Sequence, residues 1–95
     1  MELEFTEVVF EWRGPAPFHF VRVPEDEAAQ LRDVAAGITY GWGMLPCAVT
    51  VGATTLATAL WPKDGSYVVP LKDRIRRAEG IELGDAVSVR LTVDV

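Results

Sequence analysis

Apolar and polar positions alternate along this chain in a way that predicts a small protein built mainly from β-strands. The clearest signal lies near the end of the sequence, where Val87, Val89 and Leu91 alternate with polar residues. A period of two is typical of a strand that buries one face. Apolar segments bounded by glycine or proline predict the other strands, over residues 3–12, 18–23, 46–51, 54–61 and 67–69.

The first predicted strand departs from regular alternation. Leu3 and Val9 share one parity, whereas Phe10 and Trp12 share the other. A change of parity within a strand indicates a β-bulge, because one extra residue turns the following side chains to the opposite face. We place this bulge near Glu7, with a strand buried on both faces as the alternative.

Two short helices are predicted between the strands. Pro24 suits the first position of a helix, where its missing N–H group has no partner to lose. The acidic residues 25–27 follow it, and negative charge at a helix N-terminus is favoured by the helix dipole. Gly37 is the predicted end of this helix. The second helix is predicted over residues 73–78, with Gly80 as its end.

The two halves of the sequence follow one plan, strand–strand–helix–strand. The match is one of pattern rather than of residue identity. A repeated unit that leaves a sheet face exposed buries it against its copy, and strands that close on each other remove exposed edges. We therefore expect a single domain over residues 1–95, a small six-stranded β-barrel, closed or split, with two short helices and a β-β-α-β pseudo-repeat.

Composition narrows the class of protein. Apolar residues make up 49% of the chain, enough for a core that needs neither disulfide nor metal. The single cysteine, Cys47, excludes an intramolecular disulfide and fits a reducing compartment. Residues 38–62 carry no charge, but glycines and a proline interrupt them too often for a membrane helix. No signal peptide is recognised at the N-terminus. We expect a cytoplasmic protein without membrane contact.

The charge distribution bears on possible partners. The net charge is −5, which argues against broad affinity for nucleic acid because backbone phosphates repel an acidic protein. Between residues 63 and 77, however, five cations stand against two aspartates. This local basic patch is either a solvated helix face or part of a binding site.

Residues of the types used in catalysis occur without the partners they need. His19 has no cysteine or histidine at ligand spacing, so we expect no metal site and a packed strand residue. Cys47 has no neighbour in sequence that would lower its pKa. The acidic residues 25–27 are explained by the start of a helix. We therefore expect no catalytic residues, no metal and no cofactor.

The tryptophans are the most informative side chains. They lie at or beside predicted turns, with cations close by in sequence. Aromatic walls combined with cations would form a pocket for an anion or a planar ligand. In the alternative, the rings plug the barrel ends and the cations stack on them for stability. The candidate ligand-binding residues are Trp12, Arg13, Trp42, Trp61, Lys63, Tyr67, Lys72 and Arg76.

Part of the second half follows a recognisable pattern, carried by Gly65, Val68, Pro70, Ile75, Arg76, Gly84, Asp85 and Val87. Over these residues the chain resembles the swapped-hairpin motif of AbrB- and MazE-type antitoxin and transition-regulator domains. In those domains two chains build one barrel, whereas here both copies would lie in one chain. The resemblance implies DNA binding as one alternative function.

A second resemblance extends over nearly the whole chain. It is carried by residues 11–18 (EWRGPAPF), 20–24 (FVRVP), 41–43 (GWG), 60–63 (LWPK), 65–67 (GSY), 69–70 (VP), 76–80 (RRAEG) and 84–85 (GD), with Pro46 and Lys72. With these residues the chain resembles a bacterial and archaeal family, the domain of unknown function numbered nineteen hundred and five. The resemblance implies a β-barrel fold and no particular activity.

Three functions are compatible with the sequence. The first is a non-catalytic binding module for a small anionic ligand or a peptide, whose cleft Trp42, Trp61 and Tyr67 would line. The second is an AbrB-like DNA-binding protein that uses residues 72–77. The third is an enzyme with an unrecognised site, for instance at Glu11 or Asp85, although Asp85 also suits a Gly-Asp turn. We favour the first, and expect a monomer or weak homodimer that binds a small ligand or a protein.

Overall fold

The computed structural model describes the backbone of residues 1–12, 18–38 and 43–93, and the side chains of these residues except 36–38. The strands are β1 (Glu2–Val8), β2 (Phe10–Trp12), β3 (Phe18–Arg22), β4 (Leu45–Val51), β5 (Thr54–Lys63), β6 (Ser66–Pro70) and β7 (Ala86–Thr92). Helix α1 (Glu25–Ile38) follows β3, and helix α2 (Asp73–Glu79) follows β6. The predicted class, mainly β with two helices, is confirmed.

All seven strands belong to one curled, half-barrel sheet. Their order is β1-β7-β4-β5-β6-β3-β2, and each neighbouring pair is antiparallel. β1 and β2 therefore stand at opposite ends of this order, although Val9 alone separates them in the chain. Because consecutive residues lie about 3.8 Å apart, Val9 brings the two ends of the sheet together.

The break at Val9 explains why seven strands are found where six were predicted. The Val9 N–H donates to the carbonyl oxygen of Asp85 (2.9 Å), and the Val9 carbonyl accepts from the Gly84 N–H (2.9 Å). Glu7 pairs regularly with Val87. The predicted irregularity thus lies two residues beyond Glu7, where the chain leaves β7 and joins β3.

β5 changes its partner in the same manner as the first strand. Its residues 54–60 pair with β4, and its residues 61–63 pair with β6. Each half of the chain accordingly runs strand–strand–helix–strand, with β1 and β2 taken as one interrupted strand. This is the element order that was predicted for the pseudo-repeat.

The apolar core lies between one face of the sheet and the two helices. Val49 of β4 and Leu91 of β7 are buried side by side, since these residues are paired in the ladder. α1 contributes Leu31 and α2 contributes Ile75, both without exposed surface. Apolar positions at helical spacing on one face, with polar positions on the other, account for this packing.

The helix ends lie close to the predicted positions. α1 begins at Glu25, directly after Pro24, with three acidic residues in its first turn. It continues to Ile38, one residue past Gly37, which was predicted as its end. α2 ends as predicted, because Gly80 takes the left-handed conformation and its N–H donates to the Arg76 carbonyl.

The first and last described residues lie next to each other in the sheet. The Val93 N–H donates to the Met1 carbonyl, and the Met1 amine donates to the Val93 carbonyl, both at 2.8 Å. These bonds extend the ladder between β1 and β7, whose last pair is Glu2 with Thr92.

The hairpin turn between β4 and β5 gives a first prediction. Gly52 and Gly65 both adopt positive φ, +58° and +77°. A Cβ on Gly52 would lie 2.0 Å from Glu79 Oε1, whereas a Cβ on Gly65 would meet no described atom within 4 Å. Glu79 Oε2 also accepts a hydrogen bond from the Thr54 hydroxyl (2.5 Å), which a displaced carboxylate would lose.

We expect Gly65→Ala to lower the free energy of unfolding by about 1 kcal/mol, through the left-handed backbone alone. Gly52→Ala should cost about 1 kcal/mol more, the value of one hydrogen bond. Urea denaturation measures both, and adding Glu79→Ala to each variant should remove the difference between them. Equal destabilisation by the two single substitutions would contradict this account.

Candidate functional site

Five aromatic rings meet on the face of the sheet opposite to the core. Phe18 and Phe20 alternate along β3 with the core residue Val21, so their side chains leave the other face. The antiparallel register then places aromatic residues of β2 beside them. We call this group the aromatic cluster; its members are Phe10, Trp12, Phe18, Phe20 and Trp61.

Trp61 and Phe20 form the centre of the aromatic cluster. Their ring centroids lie 5.1 Å apart, and Trp61 meets Trp12 at 6.3 Å and Phe18 at 5.6 Å, each with interplanar angles above 60°. Edge-to-face contacts of this kind are the favoured arrangement of aromatic rings. Phe20 is wholly buried, whereas Trp12 is 40% exposed and Phe18 46%. The cluster therefore has a buried centre and an open surface.

Lys63 is the cation that the structure brings to this cluster. Its Nζ lies 4.0 Å from the Trp12 ring centroid, a cation–π contact worth roughly 0.5–1 kcal/mol at an exposed site. The same ammonium lies 3.9 Å from Asp64 Oδ2, which also meets Arg22 at 3.7 Å. Three predicted site residues, Trp12, Trp61 and Lys63, thus come together, and the charge of Lys63 already has two partners.

Tyr67 does not join the tryptophans. It is only 6% exposed and packs in the core with Val69. Along β6, Tyr67 and Val69 point to the core, while Val68 pairs with Trp61 across the ladder. Residues 67–70 are all apolar or aromatic, so no alternation of polar and apolar positions indicates which face of β6 carries Tyr67. Two further predicted residues, Arg13 and Trp42, lie outside the described residues.

Lys72 directly precedes α2 and Arg76 lies in its last turn, so neither belongs to the aromatic cluster. The Lys72 Nζ donates to the carbonyl oxygen of Ala57 on β5 (3.3 Å). Arg76 Nε donates to the Leu71 carbonyl (3.0 Å), and its guanidinium forms a close ion pair with Asp73. The charge of Arg76 is therefore occupied within α2, whereas Lys72, with one long bond among the described residues, has donors for a further partner.

A groove connects Trp61 with Lys72. It opens where β5 diverges from β6, and we call it the β5 groove. Its volume is about 470 Å³, within the range of small-molecule pockets. Its walls are mostly apolar, with Lys72 as its cation. The lining residues are Phe18, His19, Met44, Ala57, Thr58, Ala59, Trp61, Pro70, Leu71 and Lys72.

Sequence reasoning missed much of this lining. His19 was expected to be a packed strand residue, and it does lie half-buried in β3. Its Nδ1 is nevertheless buried without a hydrogen-bond partner among the described residues. Ala57 and Ala59 were overlooked because their contribution is the space that a small side chain leaves. Their alternation with Thr58 and Leu60 along β5 was the available signal.

A second depression, of about 480 Å³, lies on the outer side of β1, β7 and β4. Its cation, Arg90, binds Glu4 at 2.6 Å and lies 3.7 Å from Glu2. The hydrogen bond and charge of Glu4 raise the pKa of Arg90. This depression contains none of the predicted site residues and its charge is compensated. The β5 groove is therefore the stronger candidate.

Other candidate chemistry has a structural explanation. The Asp85 carboxylate accepts from the Glu82 N–H (2.8 Å), so it shapes the turn before β7 as predicted. Cys47 is half-buried, and burial raises the pKa of its thiol to about 11. Within residues 1–12, 18–38 and 43–93, no group of three His, Cys, Asp or Glu residues could hold a metal ion. No helix there is long and apolar enough to cross a membrane.

Comparison with known proteins gives a family but no activity. Residues 5–91 match the model of the domain of unknown function DUF1905. No curated protein matches the chain. The match includes every element from β1 to β7 apart from the outermost residues of these two strands.

The raised pKa of Cys47 gives a second prediction. The thiolate is the form that reacts with alkylating reagents. With a pKa of about 11, roughly 0.1% of the thiol is ionised near pH 8, against roughly a quarter for an unfolded cysteine. Iodoacetamide should therefore modify the folded protein roughly 200-fold more slowly than the protein in guanidinium chloride, as followed by mass spectrometry.

The same pKa fixes the sign of a pH effect on stability. Because the folded state holds the Cys47 proton more tightly, the resulting stabilisation is complete below the unfolded pKa and is lost as pH rises towards about 11. Cys47→Ala should remove this part of the alkaline loss of stability. Similar alkylation rates for the folded and unfolded protein would refute the buried-thiol assignment.

Proposed function

Because the chain belongs to the DUF1905 family, a domain of unknown function, we propose its function from the geometry of the β5 groove. The protein is a non-catalytic binding module for a small anionic ligand or a peptide. The observation that carries this proposal is the placement of Trp61 and Lys72 on the walls of one groove. An aromatic wall and a cation with free donors suit an apolar or planar group that carries a negative charge.

The contacts behind the groove walls support a binding function. Trp61 is held from behind by the buried Phe20 ring, so the indole is positioned before a ligand arrives. Such preorganisation reduces the entropy lost on binding. Lys72 directly precedes α2, and its ammonium contacts the Ala57 carbonyl on the wall of the groove. β5 and the start of α2 thus carry the two recognition groups.

Catalysis is the weaker interpretation. Among the described lining residues, the titratable side chains are Lys72 and His19. Neither has a described hydrogen-bond partner of the kind that orients a general base or activates a nucleophile. An enzyme with an unrecognised site stays the alternative.

We also infer the cellular compartment of this module, the origin of its two halves and its oligomeric state. The lone thiol of Cys47 suits a reducing cytoplasm. The pairing of β3 with β6 and of β4 with β7 relates the two halves to each other, which supports their origin as two copies of one unit. A fold completed within one chain favours a monomer or weak homodimer.

DNA binding by the segment 72–77 is the second alternative. Arg76 and Arg77 both pair with Asp73, and Lys72 contacts Ala57. Since most protein–DNA affinity comes from cations that neutralise phosphates, this compensation and the net charge of −5 both weaken the interpretation. We expect no retardation of a mixed-sequence duplex in a gel-shift assay at low salt. A shift that Arg74→Gln and Arg77→Gln abolish would favour DNA binding instead.

The binding proposal predicts that planar aromatic carboxylates raise the melting temperature and change the tryptophan fluorescence. Lys72→Met should raise Kd for the carboxylates at least about tenfold, equivalent to about 1.4 kcal/mol, and should leave the matching neutral amides unaffected. Arg77→Met is the control, because Arg77 is exposed on α2 and does not line the groove.

A substitution that fills the groove tests whether the ligand binds there. Ala59→Leu places three more carbons in the groove and should also raise Kd at least about tenfold. Ala78→Leu, on the exposed surface of α2, adds the same atoms elsewhere and should leave Kd unchanged. Thermal melts of all variants check folding. If no compound in a broad library stabilises the protein, or if Ala59→Leu binds as well as the parent, the proposal fails.

A further inference from the structure

β5 exposes a short stretch of backbone edge inside the groove. Residues 54–60 pair with β4 on one side only, because β6 joins β5 from Trp61 onwards. Within the described residues no strand pairs with the opposite edge of residues 54–60. Unpaired strand edges are sites where an extended peptide adds as a further strand.

Helix α2 covers the beginning of this edge. At one end of α2, Glu79 accepts a hydrogen bond from the Thr54 hydroxyl (2.5 Å). At the other end, the Lys72 ammonium donates to the Ala57 carbonyl (3.3 Å). The uncovered part of the edge is therefore residues 58–60, which bound the β5 groove between Lys72 and Trp61.

The backbone of Ala59 faces into this gap. The Ala57 carbonyl points away from β4, since it meets Lys72. Backbone groups of an antiparallel strand alternate between its two edges, so Ala59, two residues on, directs its N–H and carbonyl the same way. Among the described residues, no turn or side chain hydrogen-bonds to them. Ala59 is only half-buried and lines the groove, so its N–H and carbonyl are accessible to a ligand whose own amides would pair with them.

We propose, on the basis of the binding function above, that the β5 groove captures the carboxyl terminus of a peptide. The last residues of the peptide lie antiparallel to β5 and exchange backbone hydrogen bonds with Ala59. The terminal carboxylate meets the Lys72 ammonium, and an apolar side chain packs against Trp61 and Met44.

The length of the gap selects a chain end over an internal segment. Three residues of strand span about 10 Å, and α2 obstructs the edge beyond Ala57. A longer added strand would collide with α2, whereas a peptide that ends at Lys72 would not. The cation at this closed end complements the negative charge that every unmodified peptide carries at its carboxyl terminus. Lys72, rather than Arg76, supplies it because Arg76 is paired with Asp73.

The test uses N-terminally labelled hexapeptides that end in leucine, valine or phenylalanine, each as the free acid and as the C-terminal amide. Fluorescence anisotropy should show at least tenfold tighter binding of the acid. Lys72→Met should remove this preference, and Arg77→Met should retain it. A peptide N-methylated at its penultimate residue loses a backbone donor and should bind at least tenfold more weakly. Amide resonances of residues 57–60 should shift on titration in NMR spectra.

The outcomes separate this inference from the wider proposal. Equal binding of acid and amide, or binding that N-methylation leaves unchanged, overturns terminus capture. If aromatic carboxylates bind in the groove and none of the hexapeptides does, the inference is wrong and the binding function stands. If neither class of probe binds, both are wrong.

Discussion

The hydrogen bonds of Val9 are the constraint on which the rest of the molecule depends. Val9 gives its N–H to Asp85 and receives the N–H of Gly84, so the first strand passes from β7 to β3 without leaving its backbone groups unpaired. The sheet must curl for this exchange to occur, because β1 and β2 border its opposite ends. The curled sheet then encloses the core, and the helices cover what the strands leave open.

The same exchange of partners in β5 creates the candidate site. Before Trp61, β5 pairs with β4 and is separated from β6. The gap on the β6 side of β5 is the β5 groove. Trp61 is the first residue of β5 that pairs with β6, so it stands at the corner of this gap and also at the centre of the aromatic cluster. The change of partner at Trp61 therefore produces both the groove and the aromatic wall that is its best candidate for recognition.

Much of the fold was accessible from the sequence, and the site was accessible only in part. The alternation from Val87 to Leu91 identified β7 because one of its faces is buried and the other exposed. Tyr67 was assigned to a cleft because β6 is buried on both faces, which removes the alternation that reveals direction. The open edge of β5 in the groove depends on the side to which the backbone N–H and carbonyl groups of Ala57 and Ala59 point. Side-chain patterns carry no information on that edge direction, so register was needed to find it.

The adjacency of Met1 and Val93 has an architectural consequence. Since their backbones are bonded to each other at 2.8 Å, a chain entering at one and leaving at the other would do so from almost the same point on the surface. Domains with neighbouring ends tolerate insertion into a loop of another protein. Segments attached at these two positions would leave β1 paired with β7, and they would lie three strands and two strands away from β5 in the order of the sheet.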